Sequence, residues 1–112
     1  MLENELKKNV KIVLQSAELV YNNKDYTSAT ILYFKALFVV LDLILLKSQG
    51  KTPKDHSERF RMLQFSYPKL YEMLDKYFKI YRDTYSLSID RQTCEEVRTH
   101  VIRIIKQYKT QD

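Results

Sequence analysis

The stretch from Asp25 to His56, DYTSATILYFKALFVVLDLILLKSQGKTPKDH, decides the fold. A polar start at Asp25 and Thr27 is followed by an apolar run from Ile31 to Leu46, broken only by Lys35 and Asp42. The run stops short of the roughly 20 apolar residues that a bilayer-spanning helix needs, so it is expected to stay out of the membrane. A helix apolar on nearly every side is the central element of a bundle, covered by its neighbours. Asp25 or Thr27 can cap it by accepting orphan backbone N–H groups. Gly50 and Pro53 end it, since glycine suits a helix C-terminus and proline cannot continue one.

The flanking segments carry the one-sided pattern of covering helices. From Leu2 to Tyr21, the residues Leu2, Leu6, Val10, Val13, Leu14, Ala17 and Val20 recur at three- and four-residue steps and form one stripe. Ile12 and Leu19 fall on the opposite side. The polar turn Asn22 to Asp25 makes the first two helices antiparallel neighbours. A short helix is expected from His56 to Phe65, a longer one from Pro68 to about Ser86, and a last one from near Cys94. Thr93 and Glu96 have the spacing of a capping box for that last helix. On it, Val97, Val101, Ile104, Ile105 and Tyr108 form the stripe to be buried.

Composition agrees. The chain has 112 residues, with one Gly and two Pro, which is too little turn material for a β-sandwich and the right amount for long helices. With no internal repeat or linker, residues 1–112 read as a single domain. The fold class is all-α: an antiparallel up-and-down helical bundle of four long helices plus one short helix. The single Cys94 excludes an internal disulfide and a cysteine metal site, and it points to packing in a reducing compartment. Alternating acids and bases in Met1 to Lys8 show no signal-peptide pattern, so the expected location is cytoplasmic. No metal site and no cofactor is expected.

The net charge of +5 favours phosphates, acidic proteins or anionic surfaces as partners. Lys47, Lys51, Lys54, Arg59 and Arg61 surround the loop at His56, and Arg98, Arg103, Lys106 and Lys109 add to the last helix. Tyr77, Tyr81 and Tyr85 recur four apart and are interleaved with Lys76, Lys79 and Arg82. Such an arrangement can stack bases and hold phosphates. Leu70, Leu74 and Phe78 share that side, which makes a core stripe with exposed hydroxyl tips the better reading, Tyr85 being the most exposed member. His56 and His100 are the candidates for acid–base work. His100 lies at the edge of an apolar stripe, where a packed, hydrogen-bonded role is expected.

Several of these features together resemble HEPN domains, small all-α modules of prokaryotic toxin–antitoxin and defence systems. Asp25, Tyr26, Ala29, Tyr33, Ala36 and Leu37 are similar to the start and the small-and-aromatic face of the family's second helix. His56 after Pro53 resembles its loop histidine. Tyr81, Arg82, Asp83 and Tyr85 resemble its arginine and tyrosine region, and Thr93 to Tyr108 its closing helix. The resemblance implies a homodimer that binds or acts on RNA or nucleotides. Catalytic members carry Arg and His separated by four to six residues. Here Arg91 precedes His100 by nine positions, Arg98 precedes it by two, and Arg82 has no such histidine downstream, which argues against ribonuclease activity.

The expected function is therefore a non-catalytic module binding nucleotide or RNA phosphates in a basic cleft. In that site Arg82 clamps phosphate, Tyr85 stacks on or hydrogen-bonds a base and His56 donates to an oxygen, with Lys54 and Arg59 as supporting cations. No catalytic residue is assigned. The alternatives are a protein-interaction subunit of a separate nucleotidyltransferase, for which Ile12 and Leu19 would supply a surface, and a metal-independent ribonuclease using His56 or His100.

Overall fold

The computed structural model describes residues 2–109. It contains five helices: α1 Leu2–Asn22, α2 Tyr26–Gln49, α3 His56–Ser66, α4 Pro68–Asp83 and α5 Arg91–Lys109. The first, second, fourth and fifth alternate in direction, and the short α3 runs alongside the C-terminal half of α2. That direction follows from two tethers. Arg59 of α3 meets Asp42, and farther along Gln49 Nε2 donates to the Met62 carbonyl (3.2 Å) and to Ser66 Oγ (2.6 Å). The all-α bundle with one short helix is thus the architecture of the chain.

α2 is central because its sequence leaves it no polar face. Tyr33, Phe34, Ala36, Leu41 and Leu45 are fully buried, and Leu37 and Val40 nearly so. Burying each of the larger side chains is worth about 1.5–3 kcal/mol. Of the two polar interruptions, Lys35 faces solvent and Asp42 turns toward α3. By length and composition the 24-residue α2 could cross a bilayer, but 67% of its most apolar window is buried within the fold. Val10 and Ala17 of α1 and Val97, Val101, Ile104 and Ile105 of α5 close over it as the periodicity predicts.

The helix ends follow local chemistry. Asp25 caps α2 by accepting from Ser28 N–H at 3.1 Å, and Gly50 closes it at φ 78°, the left-handed region that glycine enters without cost. Thr27, the other candidate cap, instead accepts the Ile89 N–H at 2.8 Å and anchors the loop before α5 to the start of α2. Two boundaries depart from the sequence reading. The last helix starts at Arg91 because Asp90 is its cap, its carboxylate accepting the Thr93 N–H at 2.8 Å, and Glu96 is drawn to Tyr77 instead of completing a capping box. α4 ends at Asp83, and the residues after it form turns, with Thr84 Oγ1 donating to the Tyr81 carbonyl at 2.6 Å.

Between α1, α2 and α5 lies a polar cluster that the core does not fully satisfy. Arg98 bridges to Glu18 at 3.1 Å and lies over the Tyr21 ring, joining α5 to α1. Beside it the Tyr33 hydroxyl is fully buried and, among the described residues, has only the nearby Arg98 guanidinium to face and no well-formed hydrogen bond, and burial pushes its phenol above the ordinary range. An unpaired buried hydroxyl costs about 1–3 kcal/mol of desolvation. Tyr33→Phe keeps the ring packing and is expected to leave stability unchanged or raise it by about 1 kcal/mol in urea unfolding. A loss above that size would mean that the hydroxyl has a partner in solution.

Candidate functional site

His56 is the first residue of α3, delivered there by Asp55, whose carboxylate accepts the Glu58 N–H at 2.8 Å and caps the helix. Although the residue as a whole is exposed, its ring is set edge-on against Phe38 (4.8 Å between centroids), Phe78 (5.3 Å) and Tyr81 (5.8 Å). Arg59, one turn on, reaches back across it. Its Nε donates to Asp42 Oδ1 at 2.7 Å, its Nη2 to Oδ2 at 3.1 Å, and its Nη1 to His56 Nδ1 at 2.7 Å. A guanidinium has only donors, so Nδ1 must be the unprotonated nitrogen and the ring proton sits on Nε2. Asp42, Arg59 and His56 form a chain that fixes His56 as a neutral N–H donor.

Partial desolvation first, then the adjacent Arg59 charge, hold the His56 pKa below its ordinary value near 6.5. A histidine whose pKa falls on folding contributes stability that is present above the unfolded pKa and is lost as pH drops through the folded one. Stability is therefore expected to decline as the pH falls below about 6.5, and His56→Gln to flatten that limb. Denaturant midpoints at closely spaced pH values check this. An unchanged slope in the variant would show that another group titrates there.

The other residues of the expected site lie in different places. Tyr85 continues from His56 through Tyr81. The Tyr81 and Tyr85 hydroxyls are 3.1 Å apart, and Tyr81 packs on Phe34 and Phe38. Tyr85 is 77% exposed, as expected of the member nearest the helix end. Arg82 points the other way, into a shallow groove between α3 and α4 lined by Phe60, Arg61, Gln64, Tyr71, Asp75 and Phe78, with a volume of about 290 Å³. Phe78 belongs to both places, touching the His56 ring and flooring the groove. Lys54 is exposed, its backbone N–H held by Glu58 Oε1 at 3.1 Å.

Arg59 does not present a free cation. It is buried, its charge is spent on Asp42, and its face lies over Phe38 at 4.9 Å, so it positions His56 and supplies no open phosphate contact. Arg61 takes that place. It is exposed, shares the groove with Arg82, and neither has a carboxylate within ion-pairing distance among the described residues. The sequence reading counted Arg61 among the loop cations without assigning it to the site. Spacing on α3 puts it two positions past Arg59, hence on a different face, and that was the available signal.

His100 is engaged as its position suggested. The Tyr77 hydroxyl lies 2.7 Å from His100 Nε2 and 3.2 Å from Glu96 Oε1. Glu96 only accepts, so the phenol donates to it and His100 donates to the phenol. Burial, then the Glu96 bond, push the Tyr77 phenol upward. Each imidazole thus has one nitrogen already committed. Cys94 is fully buried, and burial pushes its thiol up, away from a nucleophilic thiolate. No cluster able to hold a metal ion occurs among the described residues.

No protein-family model, curated protein or solved structure matches the chain.

Proposed function

We propose that the chain is a non-catalytic HEPN-like module that binds nucleotide or RNA phosphates on the face formed by α3 and α4, acting as a homodimer. The observation that carries this reading is the pair Arg61 and Arg82, two guanidinium groups with no ion-pair partner among the described residues, on either side of an aromatic floor of Phe60, Tyr71 and Phe78. Guanidinium groups clamp phosphate oxygens through paired hydrogen bonds, and exposed ring faces stack single-stranded bases. Across Phe78, which touches both places, His56 offers an Nε2–H and Tyr85 a hydroxyl and an open ring. Asp75, on the same groove, is placed to accept from a base amino group.

The committed Nδ1 of His56 weighs against its serving as the base of a ribonuclease. A general base near a phosphate needs a free lone pair at the substrate, and His56 presents its N–H there. A second reading, a subunit that docks a separate nucleotidyltransferase, is favoured by Ile12 (48% exposed) and Leu19 (72%), two turns apart on the outer side of α1.

Anisotropy of a labelled single-stranded RNA at several salt concentrations tests the first reading. Arg82→Ala is expected to weaken binding about tenfold, the size of one charge-assisted hydrogen-bond pair. It should also reduce the dependence on salt by about 0.7 in log–log slope, one phosphate contact on a single strand. Wild-type affinity in this variant would remove Arg82 from the site. No binding by the wild type, together with capture of a purified nucleotidyltransferase that Leu19→Glu abolishes, would favour the second reading.

A further inference from the structure

A second recess shares no residue with the α3/α4 face. It lies where the N-terminal half of α1 and the C-terminal half of α5 diverge over α2, and it has a volume of about 630 Å³, within the range of small-molecule sites. Val10, Leu14, Val40, Leu43, Ile105 and Tyr108 form its floor and inner wall, and Lys7, Lys8 and Lys11 form one rim. The floor is deep: Val40 is 3% exposed, Ile105 6% and Leu43 8%. Leu43 is buried yet lies outside the contiguous core, so the space in front of it is not filled by other core residues.

Two properties select the occupant. Among the described residues the lining contains no carboxylate and Lys8 and Lys11 have no acidic partner, while Lys7 pairs with Glu3 at 3.1 Å. The rim therefore favours an anion. Lysine stems also extend the apolar wall while their ammonium groups reach water, so charge stands only at the mouth. The lined part of α1 runs from Lys7 to Gln15, nine residues spanning about 12 Å of helix, which suits a slender chain lying along the groove. A floor this far withdrawn from the surface offers little to a flat protein face.

We propose that this recess binds a single-chain anionic amphiphile, a long-chain carboxylate whose tail lies on Val10, Leu14, Val40, Leu43 and Ile105 and whose head group is held by Lys8 and Lys11. The test is calorimetric titration of the full chain with monomeric dodecanoate, below its micelle concentration, beside dodecyltrimethylammonium, which has the same tail and the opposite charge. Dodecanoate is expected to saturate one site per chain and to bind at least tenfold more tightly than the cation. The double variant Lys8→Glu, Lys11→Glu should lose that preference by tenfold or more, and Leu43→Trp should abolish binding by filling the recess while circular dichroism still reports a folded helical protein. The head-group comparison on the wild type stands even where a variant misfolds. Absence of saturable dodecanoate binding overturns the proposal, and so does equal affinity for both head groups. Association with phosphatidylglycerol vesicles without binding of the monomer would also overturn it, as would an acidic amphipathic peptide that binds when dodecanoate does not.

Discussion

Arg59→Ala is expected to destabilise the protein by about 3–5 kcal/mol, the cost of removing one partner from a buried ion pair. Asp42 projects from the apolar α2, and its side chain is only 16% exposed; that of Arg59 is 10% exposed. Without the guanidinium the carboxylate keeps its desolvation penalty and loses both hydrogen bonds, at 2.7 and 3.1 Å. The same change frees His56 Nδ1 and lets the ring turn. The double variant Asp42→Leu, Arg59→Leu separates charge from packing. Because apolar replacements of a buried pair are often neutral, it should lie well above either single variant in urea unfolding. If Arg59→Ala costs less than about 1 kcal/mol, the pair behaves as a surface bridge and α3 is held to α2 by other contacts.

Leu41→Ala is the second large effect, expected to cost about 2–5 kcal/mol through lost transfer energy and the cavity left behind. Leu41 is fully buried at the middle of α2 and belongs to the contiguous core, so its surroundings have little freedom to collapse into the space left behind. The contrast is Ile31 on the same helix. It is 39% exposed, so Ile31→Ala should cost far less, although both positions belong to one apolar run. Similar losses for the two would mean that α2 is covered on a side where the structure leaves it open. Thermal or urea midpoints measured together on the two variants decide this.

α2 was readable in the sequence because its signals agree: a capping aspartate, a long apolar run, and a glycine followed by proline. The covering helices were readable from periodicity alone, since a stripe at three- and four-residue steps has only one way to bury itself. The helix ends were less so. At the start of α5, Thr93 with Glu96 and Asp90 with Thr93 are both three apart. The choice between them depends on Tyr77, nineteen positions upstream, which takes Glu96. Local spacing carries no trace of that contact.

The same limit explains what the sequence could and could not say about the site. Arg59 reads as one more loop cation until Asp42, seventeen residues away, is seen to consume it. The interruption of the apolar run at Asp42 was the hint, because a carboxylate in such a run needs a partner. Arg61 and Phe60 become site residues only when α3 folds against α4 and places them opposite Arg82 and Phe78. His56 and Tyr85 were identifiable by type, but their coupling through Tyr81 rests on packing against Phe34 and Phe38, which no spacing rule encodes.

The most direct test of the phosphate-binding account is amide chemical-shift mapping of the full chain during titration with a short single-stranded RNA. The account predicts that the shifted amides concentrate in residues 54–64 and 75–85, the segments bearing Lys54, His56, Arg61, Arg82 and Tyr85, and that they disappear in an Arg61→Ala, Arg82→Ala variant. Shifts centred on α1 and the end of α5, or no shifts at RNA concentrations well above that of the protein, would contradict it.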